Sequence, residues 1–370
     1  MDAAIRVAVT VEQSWHRVPG GTATSILSTL GALAGQPDLE LVGVAARHAD
    51  APPVDLVPPI PVQHLPLPRL ALYESWHALG WPKVERATGP VDVVHATAVA
   101  IPPTDAPLVV TVHDLAFLAD PTQPTRHGLR FFRRGTELAR RRARLILVPS
   151  EATAAECRDA GFDPARIRLV PWGVDRRAVG RTEVEAVRRT HGLERPYVLF
   201  VGTFEPRKNL GGLLQGARAL AGRDVELVLV GPDGWNEDAG PKIDALERAG
   251  VTVRRLGWVA PSDLPALYAG AAAFCFPSRR EGFGMPVLEA MAQGAPVVTS
   301  AGTATEEAAG GAALLVDPLD PDAIGEALAA ILDDGALAAD LARRGRLRAA
   351  EASWARTAEL TAAAYREAAA

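Results

Sequence analysis

The sequence predicts an α/β protein built from two doubly wound domains, each a parallel sheet covered by helices on both faces. Three observations carry this. Short apolar, β-branched runs alternate with helical patterns along nearly the whole chain, as expected of parallel strands joined by helical crossovers. The alternation stops in a polar, aperiodic stretch from Val174 to Arg195 and then restarts. The chain has 370 residues, about twice the ordinary domain size. The predicted division is a first domain from residue 1 to 175 and a second from 176 to 353. Ligands of such sheets bind at the carboxyl ends of the strands, so two domains facing each other across a cleft are expected.

Composition narrows the class. Hydrophobic residues make up 48% and charged residues 22%, which fits a globular chain and excludes a disordered or collagen-like one. A net charge of -5 argues against a general nucleic-acid binder, which carries a basic surplus. Cys157 and Cys275 lie far apart in apolar or helical contexts, leaving no disulfide framework and no cysteine zinc site. The start of the chain has no signal-like basic head with an apolar core, and no apolar run reaches the roughly 18 residues of a membrane span. A cytoplasmic protein is expected.

Taken in order, the first strand is Ile5 to Val11, followed by Pro19-Gly20-Gly21-Thr22 and a helix from Ala23 to Leu33. Leu39 to Ala46 is the second strand, and Pro52, Pro53, Pro58, Pro59 and Pro61 mark an extended loop. Val91 to Ala96 and Leu108 to His113 are strands, Arg126 to Arg144 is a basic helix, and Leu145 to Val148 and Ile167 to Val170 complete the first sheet. The second sheet opens with Tyr197 to Val201, then the helix Leu210 to Leu220 with Asn209 as its N-cap. Its other strands are Val225 to Val230, Val251 to Leu256, Ala273 to Phe276, Pro296 to Thr299 and Leu314 to Val316. Asp320-Pro321-Asp322 opens the helix Ala323 to Leu332, where acids suit the helix dipole, so no metal is assigned there.

Four segments carry chemistry. Gly20-Gly21 before a helix lets backbone N–H groups approach a phosphate or sugar, although a plain tight turn reads the same way. Arg207 and Lys208 sit at a helix N-terminus, where cations are unfavourable unless something anionic joins them; a diphosphate resolves that conflict. The segment Ser278 to Gly294 is a strand end, a turn holding Glu281-Gly282-Phe283-Gly284, and a helix with Pro286 in its first turn and Gly294 at its end. Glu281 and Glu289 are eight residues apart, too far for a glycosidase pair of carboxylates at about 5 to 9.5 Å, but suited to two parts of one elongated ligand. His113 ends a strand and is a candidate for the reaction centre, whereas His95 on the preceding strand reads as structural.

Together, Glu281-Gly282-Phe283-Gly284 with Glu289, Val201-Gly202-Thr203-Phe204-Glu205-Pro206-Arg207-Lys208-Asn209-Leu210, Pro171-Trp172-Gly173-Val174-Asp175 and Thr111-Val112-His113-Asp114 resemble the retaining glycosyltransferases of family 4, of GT-B fold with two Rossmann-like domains. The resemblance spans nearly the whole chain, and by it the C-terminal helix 354–370 is similar to the family's terminal helix, which returns to pack on the first domain with Trp354 as an anchor. It implies a metal-independent hexosyltransferase with no cofactor, using a nucleotide sugar as co-substrate. Arg207 and Lys208 would clamp the donor diphosphate, Glu281 and the Gly282-Phe283-Gly284 turn would face the donor sugar, and Glu289 would hold the ribose hydroxyls. His113 would line the reaction centre, and Gly20 and Gly21 would approach the donor. Many relatives place arginine where Thr203 stands, so the clamp here draws its arginine from Arg207.

The Phe-Glu-Pro-Arg-Lys-Asn-Leu loop resembles that of mannosyltransferases, favouring GDP-mannose as donor and a glycan or lipid-linked acceptor. UDP-sugar transfer, nucleotide-sugar epimerisation, a phosphorylase and a non-catalytic nucleotide-sugar binder are the alternatives. The helix Arg126 to Arg144 holds Arg126, Arg130, Arg133, Arg134, Arg140, Arg141, Arg142 and Arg144 against Glu137. All but Arg142 fall in a sector of roughly 120°. A solvated outer face and a peripheral contact with anionic membrane at the inner surface are its two readings.

Overall fold

The computed structural model describes residues 4–16, 20–122, 124–234 and 238–370; the first residues of the chain and Pro19 of the glycine segment lie outside them. The chain divides into two compact units. Residues up to Gly173 with Trp354–Ala370 form one, and Val174–Ser353 form the other.

The N-terminal unit holds a seven-stranded parallel sheet in the order β3-β2-β1-β4-β5-β6-β7. Its strands are β1 Ile5–Thr10, β2 Leu39–Ala45, β3 Val62–His64, β4 Val93–Ala96, β5 Leu108–Thr111, β6 Leu145–Val148 and β7 Ile167–Leu169. The order reverses between β1 and β4. Side chains alternate across the sheet, so Val94, Val110 and Ile146 enter one core with Trp76 while Val93, Val109 and Leu145 enter the other with Tyr365. The closing helix Trp354–Ala369 covers that second face, burying Ala358, Ala362, Tyr365 and Ala368.

The other unit holds a six-stranded parallel sheet in the order β10-β9-β8-β11-β12-β13. These strands are β8 Tyr197–Val201, β9 Glu226–Val230, β10 Thr252–Gly257, β11 Ala273–Phe276, β12 Val297–Ser300 and β13 Leu314–Val316. Here the order reverses between β8 and β11. Both sheets are thus parallel and doubly wound, as the alternating pattern requires.

Several expectations are corrected. The helix after β1 begins at Gly20, not Ala23, so both glycines lie in its first turn. Val62–His64 forms a short edge strand immediately after the proline-rich loop. The stretch after Val174 is not aperiodic throughout, since Arg181–Thr190 is a helix whose charged surface hides a thin apolar stripe ending in buried Val187. The helix after β8 is α-helical only over Leu210–Gly216 and tightens into a 3-10 turn at Ala217–Leu220. Asn209 does not cap it with its side chain. The basic helix ends at Arg142, and the Arg144 amide already donates to the Leu108 carbonyl at 2.7 Å. Trp354 is only half-buried, and Tyr365 is the aromatic that anchors the closing helix.

Candidate functional site

In the Val174–Ser353 unit, the loops after β8 and β11 meet where the strand order reverses, the usual ligand position of a doubly wound sheet. The β8 loop makes one 3-10 turn at Pro206–Lys208 and leaves through Asn209, whose φ of 57° is left-handed. Its amide donates to the carbonyls of Pro277 (3.0 Å) and Pro318 (2.6 Å), and its oxygen accepts from Arg279 Nε (3.1 Å). The side chain that sequence reasoning assigned to capping therefore ties the β8 loop to the β11 loop. The Arg279 amide donating to the Arg207 carbonyl at 2.8 Å adds a backbone link.

That joint brings Arg207, Lys208 and Glu281 together. Lys208 Nζ donates to Glu281 Oε1 at 2.6 Å, Arg207 donates to Glu281 Oε2 at 3.0 Å, and Ser278 Oγ donates to Glu281 Oε1 at 2.6 Å. Arg207 also pairs with buried Glu205 at 2.7 Å. The Lys208 ammonium lies 5.0 Å from the Phe276 ring centre. The anions that make these cations tolerable at a helix N-terminus are thus supplied by the protein itself, Glu281 and Glu205. Burial pushes the Lys208 ammonium below its ordinary value against the pull of Glu281. Burial also raises Glu281, but Lys208 and Arg207 outweigh it and hold this carboxyl below the ordinary range.

Gly284 precedes the helix Met285–Gln293 with φ of 106°. A Cβ there would be strained and would come within 3.1 Å of Thr305, so glycine is required for the turn that carries Gly282 and Phe283. Glu281 lies ahead of this helix and Glu289 within it. Tyr268 Oη donates to Glu289 Oε2 at 2.8 Å. Burial raises Glu289 above the ordinary carboxyl value, and the tyrosine hydrogen bond opposes that. Asp320 is a helix cap, accepting from the amides of Asp322 and Ala323.

In the N-terminal unit, His113 follows β5, with its Nε2 2.7 Å from the Thr97 carbonyl. A carbonyl can only accept, so Nε2 carries the proton and Nδ1 is the acceptor. Nδ1 is buried without a hydrogen-bond partner. Burial lowers the His113 pKa, opposed by Thr97 and Asp114, so the ring is neutral at neutral pH. Trp172 packs against it at 5.3 Å between ring centres, a contact that sequence reasoning missed although Pro171-Trp172-Gly173 was singled out. His95 is held between Tyr365 Oη (2.7 Å) and Thr111 Oγ1 (2.8 Å). Both histidines line one cavity of about 40 Å³, room for a water molecule. Gly20, with φ of 58°, and Gly21 are exposed, and no atom lies within 4 Å of a Cβ placed on Gly20.

The eight arginines of the basic segment are all exposed. Glu137 pairs with Arg140 (2.9 Å) and Arg141, and Arg134 reaches the His77 carbonyl. Phe131 and Phe132 pack inward against the core, and the helix sits tightly at Gly135, where a Cβ would lie 2.1 Å from the Val99 carbonyl oxygen.

Residues 183–348 match a family described as glycosyl transferases group 1, and residues 19–177 match one described as glycosyltransferase family 4. The O-antigen chain mannosyltransferase B of Escherichia coli is 34% identical over 254 residues, 66% of this chain and 66% of that protein. A D-inositol 3-phosphate glycosyltransferase of Salinispora arenicola is 33% identical over 388 residues, covering 91% of this chain and 85% of the relative. Among solved structures, Anabaena HepE in complex with UDP and glucose superimposes with a TM-score of 0.74 over 98% of this chain and 100% of its own, at 18% identity.

Proposed function

The chain belongs to the group 1 glycosyltransferases of family 4, and from that premise we propose that it transfers a hexose from a nucleotide diphosphate sugar to an acceptor hydroxyl with retention of anomeric configuration. GDP-mannose is the favoured donor. The observation that carries the reading is the cluster of Lys208, Arg207, Glu281 and Ser278 at the switch point of the second sheet. Two preorganised cations there stabilise the charge that develops on a departing diphosphate, which is where electrostatic catalysis is strongest. Glu281 has both oxygens engaged and acts as counter-ion to the clamp, so departure of the diphosphate and attack on the same face fits better than a covalent intermediate on this carboxylate. Glu289 takes the ribose hydroxyls, the Gly282-Phe283-Gly284 turn lies along the donor sugar, and Gly20 and Gly21 offer backbone N–H groups to the donor. His113, neutral and with Nδ1 free to accept, serves the reaction centre.

Mannose is supported by the loop Phe204 to Leu210 and by the mannosyltransferase relative of Escherichia coli. The second reading, a UDP-sugar donor, is favoured by the fold neighbour bound to UDP and glucose. Thermal melting with GDP, UDP and ADP separates them, because a ligand that binds the native state raises its melting temperature by mass action. Stabilisation by UDP and not GDP overturns the mannose reading. Transfer should survive chelation by EDTA, and proton coupling constants of the product should report the retained anomer.

No described helix is long and apolar enough to cross a membrane. The acceptor we propose is a glycan or lipid-linked sugar at the cytoplasmic face, approached through the exposed arginines of the helix Arg126–Arg142. Each arginine near an anionic surface contributes about 1 kcal/mol. Vesicle co-sedimentation should show binding to anionic and not neutral lipid, weakened by salt and by Arg130→Gln, Arg133→Gln and Arg134→Gln together; no binding at low salt leaves a solvated face.

A further inference from the structure

Glu289 has two carboxylate oxygens, and one is already used. Tyr268, on the helix Leu264–Ala269, donates to Oε2 at 2.8 Å, while no described residue donates to Oε1. Tyr268 is itself fixed. It is 2% exposed and packs edge-on against Phe274 of β11 at 5.3 Å between ring centres. Its helix is pinned one residue earlier, where the Tyr197 hydroxyl of β8 donates to the Leu267 carbonyl at 2.7 Å. A Cβ on Gly270 would approach that hydroxyl to 2.7 Å, so the two elements meet closely. The line of support therefore runs from the central strand of the sheet through one short helix to one oxygen of Glu289.

We infer that Tyr268 is a positioning residue for the nucleotide: by holding Oε2 it fixes the rotamer of Glu289 and leaves Oε1 for a ribose hydroxyl. This rests on the donor reading of Glu289 given above. The hydroxyl is suited to the task because burial and Glu289 keep it protonated well beyond the physiological range, making it a permanent donor. The hydrogen bond also opposes the burial that raises Glu289, and so favours the ionised carboxylate, the acceptor that a sugar hydroxyl needs. Among the described residues, charged side chains on the other helices packed against Met285–Gln293 make no hydrogen bond or ion pair with Glu289. Arg346 lies over Gly294, Arg344 donates to the Gly311 carbonyl, Arg348 donates to the carbonyls of Ala308 and Glu307, and Glu306 accepts from the Gly302 amide. Tyr268 is the one group whose ionisation or hydrogen bond perturbs Glu289 among the described residues.

The test is calorimetric titration of the full chain with GDP and with UDP, in wild type, Tyr268→Phe, Glu289→Gln and the double variant, with melting temperatures taken to verify folding. Tyr268→Phe should weaken the nucleotide that binds by about tenfold, the loss expected for one hydrogen bond to a charged group. In the Glu289→Gln background the same change should alter affinity by less than about twofold, since the interaction it supports is already gone. The pH below which affinity is lost should rise in Tyr268→Phe, because the carboxylate loses a stabilising donor; a purely packing role leaves that pH unmoved. Equal losses in both backgrounds, or an unshifted pH limb, overturn the inference. Unweakened binding in Glu289→Gln overturns the ribose role of Glu289 itself, and binding of neither nucleotide by wild type overturns the donor reading, and this inference with either.

Discussion

Replacing Lys208 with alanine tests the charge arrangement at the switch point. The side chain is 11% exposed and its Nζ sits 2.6 Å from the Oε1 of Glu281, which is 8% exposed. Deleting one member of a buried ion pair costs about 3–5 kcal/mol when the survivor is left alone. Glu281 is not left alone, since Arg207 at 3.0 Å and Ser278 at 2.6 Å remain. Arg207, however, already serves Glu205 at 2.7 Å and cannot fully compensate both acids. The expected destabilisation of this unit therefore falls to or below the lower end of that range, about 2–3 kcal/mol, or a fall in melting temperature of roughly 4–12 °C for a unit of this size. Scanning calorimetry and urea unfolding measure it. Lys208→Ala combined with Glu281→Gln removes the stranded charge and should recover at least half of the lost stability. Turnover should fall by about 10²- to 10³-fold in the single variant and should not return in the double. A single variant as stable as wild type, or a double variant no more stable than the single, refutes the reasoning that Lys208 is held as the counter-charge of Glu281.

Three further outcomes follow from other parts of the molecule. Glu289→Ala should raise donor KM with little change in kcat, because a ribose contact serves ground and transition states alike. Since burial raises the Glu289 pKa, wild-type KM should climb as pH falls through that raised value, above the ordinary carboxyl range, and this limb should vanish in the variant. Burial pushes His95 down to about 3 and His77 down to about 4, from 6.5. Above pH 6.5 neither group affects stability, while below it the unfolded chain takes up protons that the native unit refuses. The urea midpoint of the N-terminal unit should therefore drop steadily from pH 6.5 towards 4, and less steeply in His95→Gln. Gly135→Ala forces a Cβ against the Val99 carbonyl oxygen 2.1 Å away, and the overpacking should cost about 1–3 kcal/mol in urea unfolding, whereas Gly31→Ala, with nothing within 4 Å, should not.

Much of the architecture was legible because burial and period are local signals. The runs Tyr197–Val201, Ala273–Phe276 and Leu145–Val148 are strands end to end, and each is fully apolar because its sheet is covered on both faces. Where the signal was thin the reading failed. Val62–His64 is a three-residue edge strand with two exposed positions, and Arg181–Thr190 buries only Val187 among charged neighbours. Asn209 looked like a cap because cap residues are recognised by type and position, yet its amide is spent on two carbonyls from distant segments.

Sequence alone determined the fold class and which residue types stand at the strand ends, because hydrophobic period, glycine turns and the order of cations and acids are written along the chain. Only the tertiary structure decided what those groups do to one another. Glu281 meets Lys208 across 73 positions and Arg207 across 74, His95 meets Tyr365 across 270, and Tyr268 meets Glu289 across 21. No local period encodes such pairings. Those of Glu281 arise where the parallel strands β8 and β11 bring their carboxyl ends side by side, and those of Tyr268 and Tyr365 where helices pack on one another or on the sheet; burial then fixes which charges must pair and which oxygen is left for a ligand.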